Sequence, residues 1–219
     1  DRLLSRGLGD VYKRQAKDSV KIDSLILVTQ SNAHDTAKLN AYMLWDDMTY
    51  MYDMELELLI SLKMDSLCEL NLSKELPTVL RKTFLNTKAY AMLGIGGHYL
   101  DNSELSLAEK YYNIGIEAAK EGGSQGRLSS LYNNIGIVYE EQGNYAKSIE
   151  NYTNSLTIDE SLGDLESSSN TLINIGVIYR NLGEDDKAIE CYKKSIEVKE
   201  ALPDSSGLAT AYNLSLIHI

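Results

Sequence analysis

Residues 132–140 read Tyr-Asn-Asn-Ile-Gly-Ile-Val-Tyr-Glu, and residues 172–180 read Leu-Ile-Asn-Ile-Gly-Val-Ile-Tyr-Arg. The frame Asn134-Ile135-Gly136-x-x-Tyr139 thus returns forty residues later as Asn174-Ile175-Gly176-x-x-Tyr179. The same offset relates Gly143 to Gly183, Lys147 to Lys187, Tyr152 to Tyr192 and Ser155 to Ser195. One step back lies Ile95-Gly96-x-x-Tyr99, followed by Ala108, Tyr112 and Gly115; one step forward from Tyr132 lies Tyr212. Self-similarity at a fixed period of this size is the mark of a stacked repeat. Tyr132, Ile135 and Tyr139, and then Ile149, Tyr152 and Leu156, are spaced three and four apart, which makes one apolar stripe per helix. Glycine inside a helix costs about 1 kcal/mol against alanine, so its recurrence at 96, 136 and 176 predicts close helix packing, with Ser148 as the small partner. Gly143 and Gly183 fall instead in the turn between helices, where positive φ is useful. One helix pair cannot bury its stripe alone, so the pairs must stack.

The repeat resembles the tetratricopeptide family. Its large first position holds Met92, Tyr132, Leu172 and Tyr212, and its Leu-Gly pair is Ile95-Gly96, Ile135-Gly136 and Ile175-Gly176. The second helix carries Ala108, Ser148 or Ala188, then Tyr112, Tyr152 or Tyr192, then Gly115, Ser155 or Ser195. The family's closing proline is replaced by Lys120, Glu160 and Glu200. The resemblance implies an all-α fold, an α-solenoid of stacked antiparallel helix pairs. Repeats are expected over 89–128, 129–168 and 169–208, with a truncated one from Ala209. Helices are predicted near 89–101, 105–120, 129–142, 145–161, 169–182 and 185–201. Forty residues in place of the family's common thirty-four implies longer second helices or longer connectors. Repeats of this length resemble those of kinesin light chain and of bacterial signalling proteins.

Upstream, residues 16–34 are expected to form a leader that starts loose and holds a short helix around Ile22–Gln30. Asp35 is expected to cap the next helix, with a stripe through Leu39, Tyr42, Met43 and Trp45. A second helix over 54–72 completes a divergent first repeat (residues 35–88), in which Asp46 takes the small-residue position. Pro77 suggests a break and another helical piece to about Asn86. Both ends, residues 1–15 and 214–219, resemble translated sequencing-adapter tails. The first is basic in an acidic chain, and the second interrupts a repeat after Tyr212-Asn213. The alternative is a genuine basic leader and an ordinary frayed terminus.

A formal net charge of −11 argues against nucleic acid or an anionic membrane surface as partner. No apolar run reaches eighteen residues, so no membrane insertion is expected from these residues. Cys68 and Cys191 lack metal-ligand spacing and read as packed thiols. His34, His98 and His218 have no partner at ligand spacing, so no metal is expected. Asp46-Asp47 and Glu140-Glu141 are helix neighbours expected to point apart, and Gly94-x-Gly96-Gly97 follows no strand. Catalytic residues and cofactors are therefore expected to be none, and the fragment is not expected to be an enzyme.

What remains is binding to a protein or peptide. In the family, first helices line a concave groove, and the resemblance carries its groove positions onto named residues. They are Tyr90, Leu93, Gly97, Leu100 and Asp101; Ser130, Asn133, Ile137, Glu140 and Glu141; and Asn170, Ile173, Val177, Arg180 and Asn181. Tyr90, Leu93, Asn133, Ile137, Glu140, Asn170, Ile173, Val177 and Arg180 are the leading candidates. Packing between neighbouring helices is the competing role for the apolar ones. Asn134 and Asn174 are expected to tie adjacent repeats. Two functions fit: a non-catalytic interaction scaffold, or the sensory input region of a receptor, since such acidic arrays resemble the N-terminal halves of bacterial sensor kinases and regulators. The latter are often exported, which leaves the compartment open. Self-association through the truncated C-terminal end is a further expectation.

Overall fold

The computed structural model describes residues 19–49 and 54–200, and among these the regular structure is helix alone. The helices are α1 (Ser19–Gln30), α2 (Asp35–Thr49), α3 (Met54–Leu72), α4 (Thr78–Asp101), α5 (Leu105–Gly122), α6 (Gln125–Glu141), α7 (Tyr145–Leu162), α8 (Leu165–Asn181) and α9 (Asp185–Glu200). Both suspected tails and the truncated repeat from Ala209 lie outside the described residues.

Each described helix packs on its neighbour in the chain, and α4 also packs directly on α6. Among the described residues the substantial helix contacts are thus all between near neighbours, as one-dimensional repeats require. Within each pair the glycine decides the distance of approach. A Cβ at Gly136 would lie 2.5 Å from the Tyr152 ring, and one at Gly176 2.5 Å from the Tyr192 ring; Gly96 meets Tyr112 in the same way. Tyr112, Tyr152 and Tyr192 are fully buried. The Ser148 hydroxyl donates to the Gly136 carbonyl at 2.7 Å, so the second small residue also sits at the crossing. The other repeat tyrosines lie at the edge. Lys147 stands 4.8 Å over the Tyr139 ring and Lys187 5.1 Å over Tyr179.

The extra length of the repeat is in the helices. The first helices α6 and α8 begin at Gln125 and Leu165, four residues before the expected starts. The linkers are correspondingly short. Gly163 ends α7 at φ 70°, and the Asp164 carboxylate at once accepts from the Ser167 amide at 3.0 Å to start α8. Gly123 and Ser124 do the same between α5 and α6, though without the side-chain bond.

Two N-terminal expectations need correction. The helical piece expected to stop near Asn86 does not stop: Thr78–Asp101 is one helix of 24 residues. Asn86-Thr87-Lys88 contains no breaker, and the Thr87 hydroxyl folds back onto the Thr83 carbonyl. Asp35 does not cap α2. His34 precedes the helix, its Nδ1 accepts from the Thr36 amide at 3.3 Å, and the Asp35 carboxylate instead accepts from Asn71 of α3. The N-terminal core gathers Trp45, Ile60, Met64, Cys68 and Phe84, all but sealed from solvent. Cys68 packs there as an apolar residue, and burial pushes its thiol up to about 12.

Candidate functional site

The carried-over groove residues lie on α4, α6 and α8, and most are half-buried. Leu93 and Ile137 pack against the buried clusters of their own repeat boundaries. Ile173 and Val177 are half-buried as well. Tyr90 is committed elsewhere: its hydroxyl lies 2.8 Å from Asp46 and 3.0 Å from Asp47 of α2, and the Arg127 guanidinium lies 5.6 Å over its ring. Glu140 accepts from the Tyr152 hydroxyl at 3.0 Å, and burial, with the Glu140 charge adding to it, pushes that phenol well above its ordinary value. Arg180, the equivalent residue one repeat on, stands near Tyr192 and opposes the upward push of burial there. The Asn174 amide donates to Asn133 Oδ1 at 3.4 Å, so Asn174 does tie α8 to α6, through a groove candidate.

Around Asn133 and Asn174 the structure brings together residues that the sequence had not assembled. A cavity of about 230 Å³ opens between α6 and α8. Ser129, Ser130, Asn133 and Asn134 form one wall, and Ser155 and Asp159 of α7 form the floor. Ser167, Asn170, Thr171 and Asn174 form the other wall. Every lining side chain is short and polar, and Ser130 and Asn170 at the rim are exposed. The floor is a buried network. Ser129 Oγ lies 2.9 Å from Ser155 Oγ and donates to Asp159 Oδ1, while Ser155 Oγ reaches Asp159 Oδ2 at 3.4 Å. Asp159 is 3 % exposed, and burial, with Asp164 adding to it, raises its carboxyl above the usual range.

The signal for this network was available in the repeat register. Stepping by forty from Ala119 gives Asp159 and then Lys199: one position holds a small apolar residue, an acid and a base, and each is buried. Ionisable residues are almost never buried without a reason. A second acidic region lies at the α2–α3–α4 junction. Burial raises Asp46 to about 6, with the Tyr90 bond opposing and Asp47 adding; burial, Asp46 and Asp101 raise Glu57 to about 7. No group of three or more histidine, cysteine or carboxylate side chains poised for a metal occurs among the described residues. No helix among them is long and apolar enough to cross a membrane.

No curated protein matches the chain by sequence. Among solved structures, the apo form of RapI superposes with a TM-score of 0.75 at 15% identity, over 94% of this chain and 56% of RapI. Aspartyl phosphate phosphatase F from Bacillus subtilis gives 0.75 at 17% identity, over 98% of this chain and 54% of that one. BtubC (BKLC) from P. vanneervenii gives 0.64 at 15% identity, over 94% and 82%. The chain thus spans little more than half the length of the RapI and phosphatase chains it resembles, and at these identities the likeness is one of fold. The model of the tetratricopeptide repeat matches residues 87–161 and again 127–201, together more than half of the sequence. The glycine–tyrosine crossings at 96, 136 and 176 and these two matches agree: the chain belongs to the tetratricopeptide-repeat family, whose repeats are protein-interaction scaffolds.

Proposed function

We propose that this chain is a non-catalytic interaction module that holds a peptide or a partner's helix in the groove lined by α4, α6 and α8. The supporting observation is the partial exposure of Asn133, Ile137, Ile173 and Val177 on consecutive first helices, where a close-packed solenoid would otherwise cover apolar side chains. The amide of Asn133 gives and accepts hydrogen bonds, as a ligand main chain needs. Leu93 and Gly97, Asn133 and Ile137, and Ile173 and Val177 stand where carboxylate-clamping relatives need Lys, Arg or Asn; Asn133 alone is of that kind, and none of the six is a cation. With a net charge of −11, an acidic ligand is also slowed in its approach at low salt.

Fluorescence anisotropy with acidic-tailed, amphipathic and basic peptides tests this. The acidic-tailed set should bind least. Ile173→Glu and Val177→Glu, together with Ile137→Glu, should weaken the bound set by about tenfold or more, the loss expected when buried apolar contact at about 25 cal/mol per Å² gives way to a charge. Tight binding of acidic tails, unmoved by all three variants, would overturn the groove. Sensory input to a signalling protein is the second function, supported by the resemblance of the acidic array to bacterial sensor regions. Extending the gene beyond Tyr212 distinguishes the two. A membrane segment followed by a kinase or DNA-binding module would favour the receptor, and a stop after a capping helix would favour the free scaffold.

A further inference from the structure

The three copies of the repeat serve as internal controls for the cavity between α6 and α8. At the preceding boundary the equivalent positions carry larger side chains. Tyr90 stands where Ser130 lines the cavity and Arg127 where Ser167 does, and Arg127 lies over the Tyr90 ring. The chain's own guanidinium thus occupies that position, and α4 packs directly on α6. One repeat later both residues are serine, α6 and α8 touch only lightly, and a cavity of about 230 Å³ stands open. Its floor has changed in the complementary sense. Ala89, Gly115 and Ala119, none with a polar side-chain atom, stand at the positions that Ser129, Ser155 and Asp159 of the cavity take one repeat later.

The carboxylate is not there to hold the serines. Ser169 and Ser195 form the same hydroxyl pair at 2.7 Å one repeat on, with Lys199 in place of the acid. Asp159 is buried, and no cation pairs with it among the described residues; the charge that acts on it is that of another acid, Asp164. Two serine hydroxyls are its hydrogen-bond partners, which leaves acceptor capacity on a carboxylate able to take about four bonds. A buried carboxylate without a counter-charge is costly, and here it faces a polar space that is large enough for the end of one side chain.

We propose that this cavity receives one basic side chain, a guanidinium or an ammonium, of the polypeptide in the groove, with Asp159 as its counter-ion and the asparagines of α6 and α8 as its walls. The ligand's cation takes the place that Arg127 holds one repeat earlier. The proposal rests on the groove assignment, because two of the groove's helices form the cavity.

The probes are the Nα-acetyl amides of arginine, lysine and citrulline, titrated into the full chain while the side-chain amide resonances of Asn133, Asn134, Asn170 and Asn174 are followed. Arginine and lysine amides should shift them. The isosteric but neutral citrulline amide should bind about tenfold or more weakly, as expected when a charge-assisted bond is replaced by a neutral one. Asp159→Asn should remove the preference. Asp159→Ala should do so too, at a position where the preceding repeat already carries alanine, Ala119. Ser167→Arg should close the site to every probe by restoring the internal occupant. Helicity by circular dichroism verifies that each variant is folded. Equal affinity for arginine and citrulline, or an Asp159→Asn protein that still prefers arginine, would overturn the cation site while leaving the peptide panel and its Ile173 and Val177 variants free to uphold the groove. Absence of any shift up to the solubility limit of the arginine amide would overturn it as well.

Discussion

At Gly136 two opposing effects act on one substitution, and their magnitudes decide between them. Alanine gains about 1 kcal/mol of helix propensity over glycine, yet its Cβ would lie 2.5 Å from the ring of Tyr152. That ring is fully buried and its hydroxyl is tied to Glu140, so it cannot swing aside without loss. Overpacking of this kind costs about 1–3 kcal/mol, and Gly136→Ala should lower the urea midpoint. Gly126, with nothing within 4 Å of its Cβ direction, is the control. Gly126→Ala should be neutral or stabilising by about 0.5–1 kcal/mol. If Gly136→Ala unfolds with Gly126→Ala, the tyrosine yields and the crossing is loose. Ser103 gives the converse test. It occupies the repeat position of Gly143 and Gly183 and is held at φ 59°, the left-handed region, beside 71° and 74° for the glycines. A left-handed conformation costs a residue with a Cβ about 1–2 kcal/mol, against a smaller entropic loss for glycine. Ser103→Gly should therefore raise the unfolding midpoint.

Between elements, the junction of α2, α3 and α4 carries a pH dependence opposite to that of salt-bridged carboxylates. Burial raises Asp46 from 3.8 to about 6 and Glu57 from 4.5 to about 7. Asp47 and Tyr90 face the first and Asp46 and Asp101 the second, while the cation Arg127 is engaged on the Tyr90 ring. Both folded values exceed the unfolded ones, so the native state binds the extra protons. Their contribution to stability is complete below the unfolded values of 3.8 and 4.5, and it is lost as pH rises through about 6 and then about 7. The thermal midpoint should consequently climb on acidification from about pH 8 to about pH 5.5. Asp46→Asn and Glu57→Gln, which keep the shape and drop the charge, should flatten that climb. A wild-type profile that is already flat would mean that these carboxyls ionise in the fold at no cost.

For the whole molecule, the confinement of strong contacts to near-neighbour helices predicts local rather than global damage. Gly176→Leu would drive bulk against Tyr192 at the α8–α9 crossing, and α9 packs on α8 alone among the strongly contacting described helices. Hydrogen exchange should quicken across α8 and α9 while α4 and α5 keep their protection, because stability in a repeat stack is a sum of nearest-neighbour terms. Uniform loss of protection would show a single cooperative unit.

The period of forty, the all-helical fold and the two small positions of each crossing were legible in the sequence. Each follows from short-range facts: helical spacing of apolar residues, and glycine or serine recurring where a larger side chain would fit the helix but not its neighbour. Positive φ at Gly143 and Gly183 was legible for the same reason, since it depends on the local backbone alone. The break near Asn86 and the cap at Asp35 were not. Propensity says only that a helix is able to end at such residues, and packing of α4 along α3 and α5 carried it through. Only the tertiary structure decided that Tyr90, a groove candidate by register, is bound to Asp46 and Arg127, and that Ser129, Asp159 and Asn174 meet around one cavity. Those residues lie on three different helices. Their meeting depends on how α8 seats against α6 and α7, and periodicity within one helix carries no information about the space left between two.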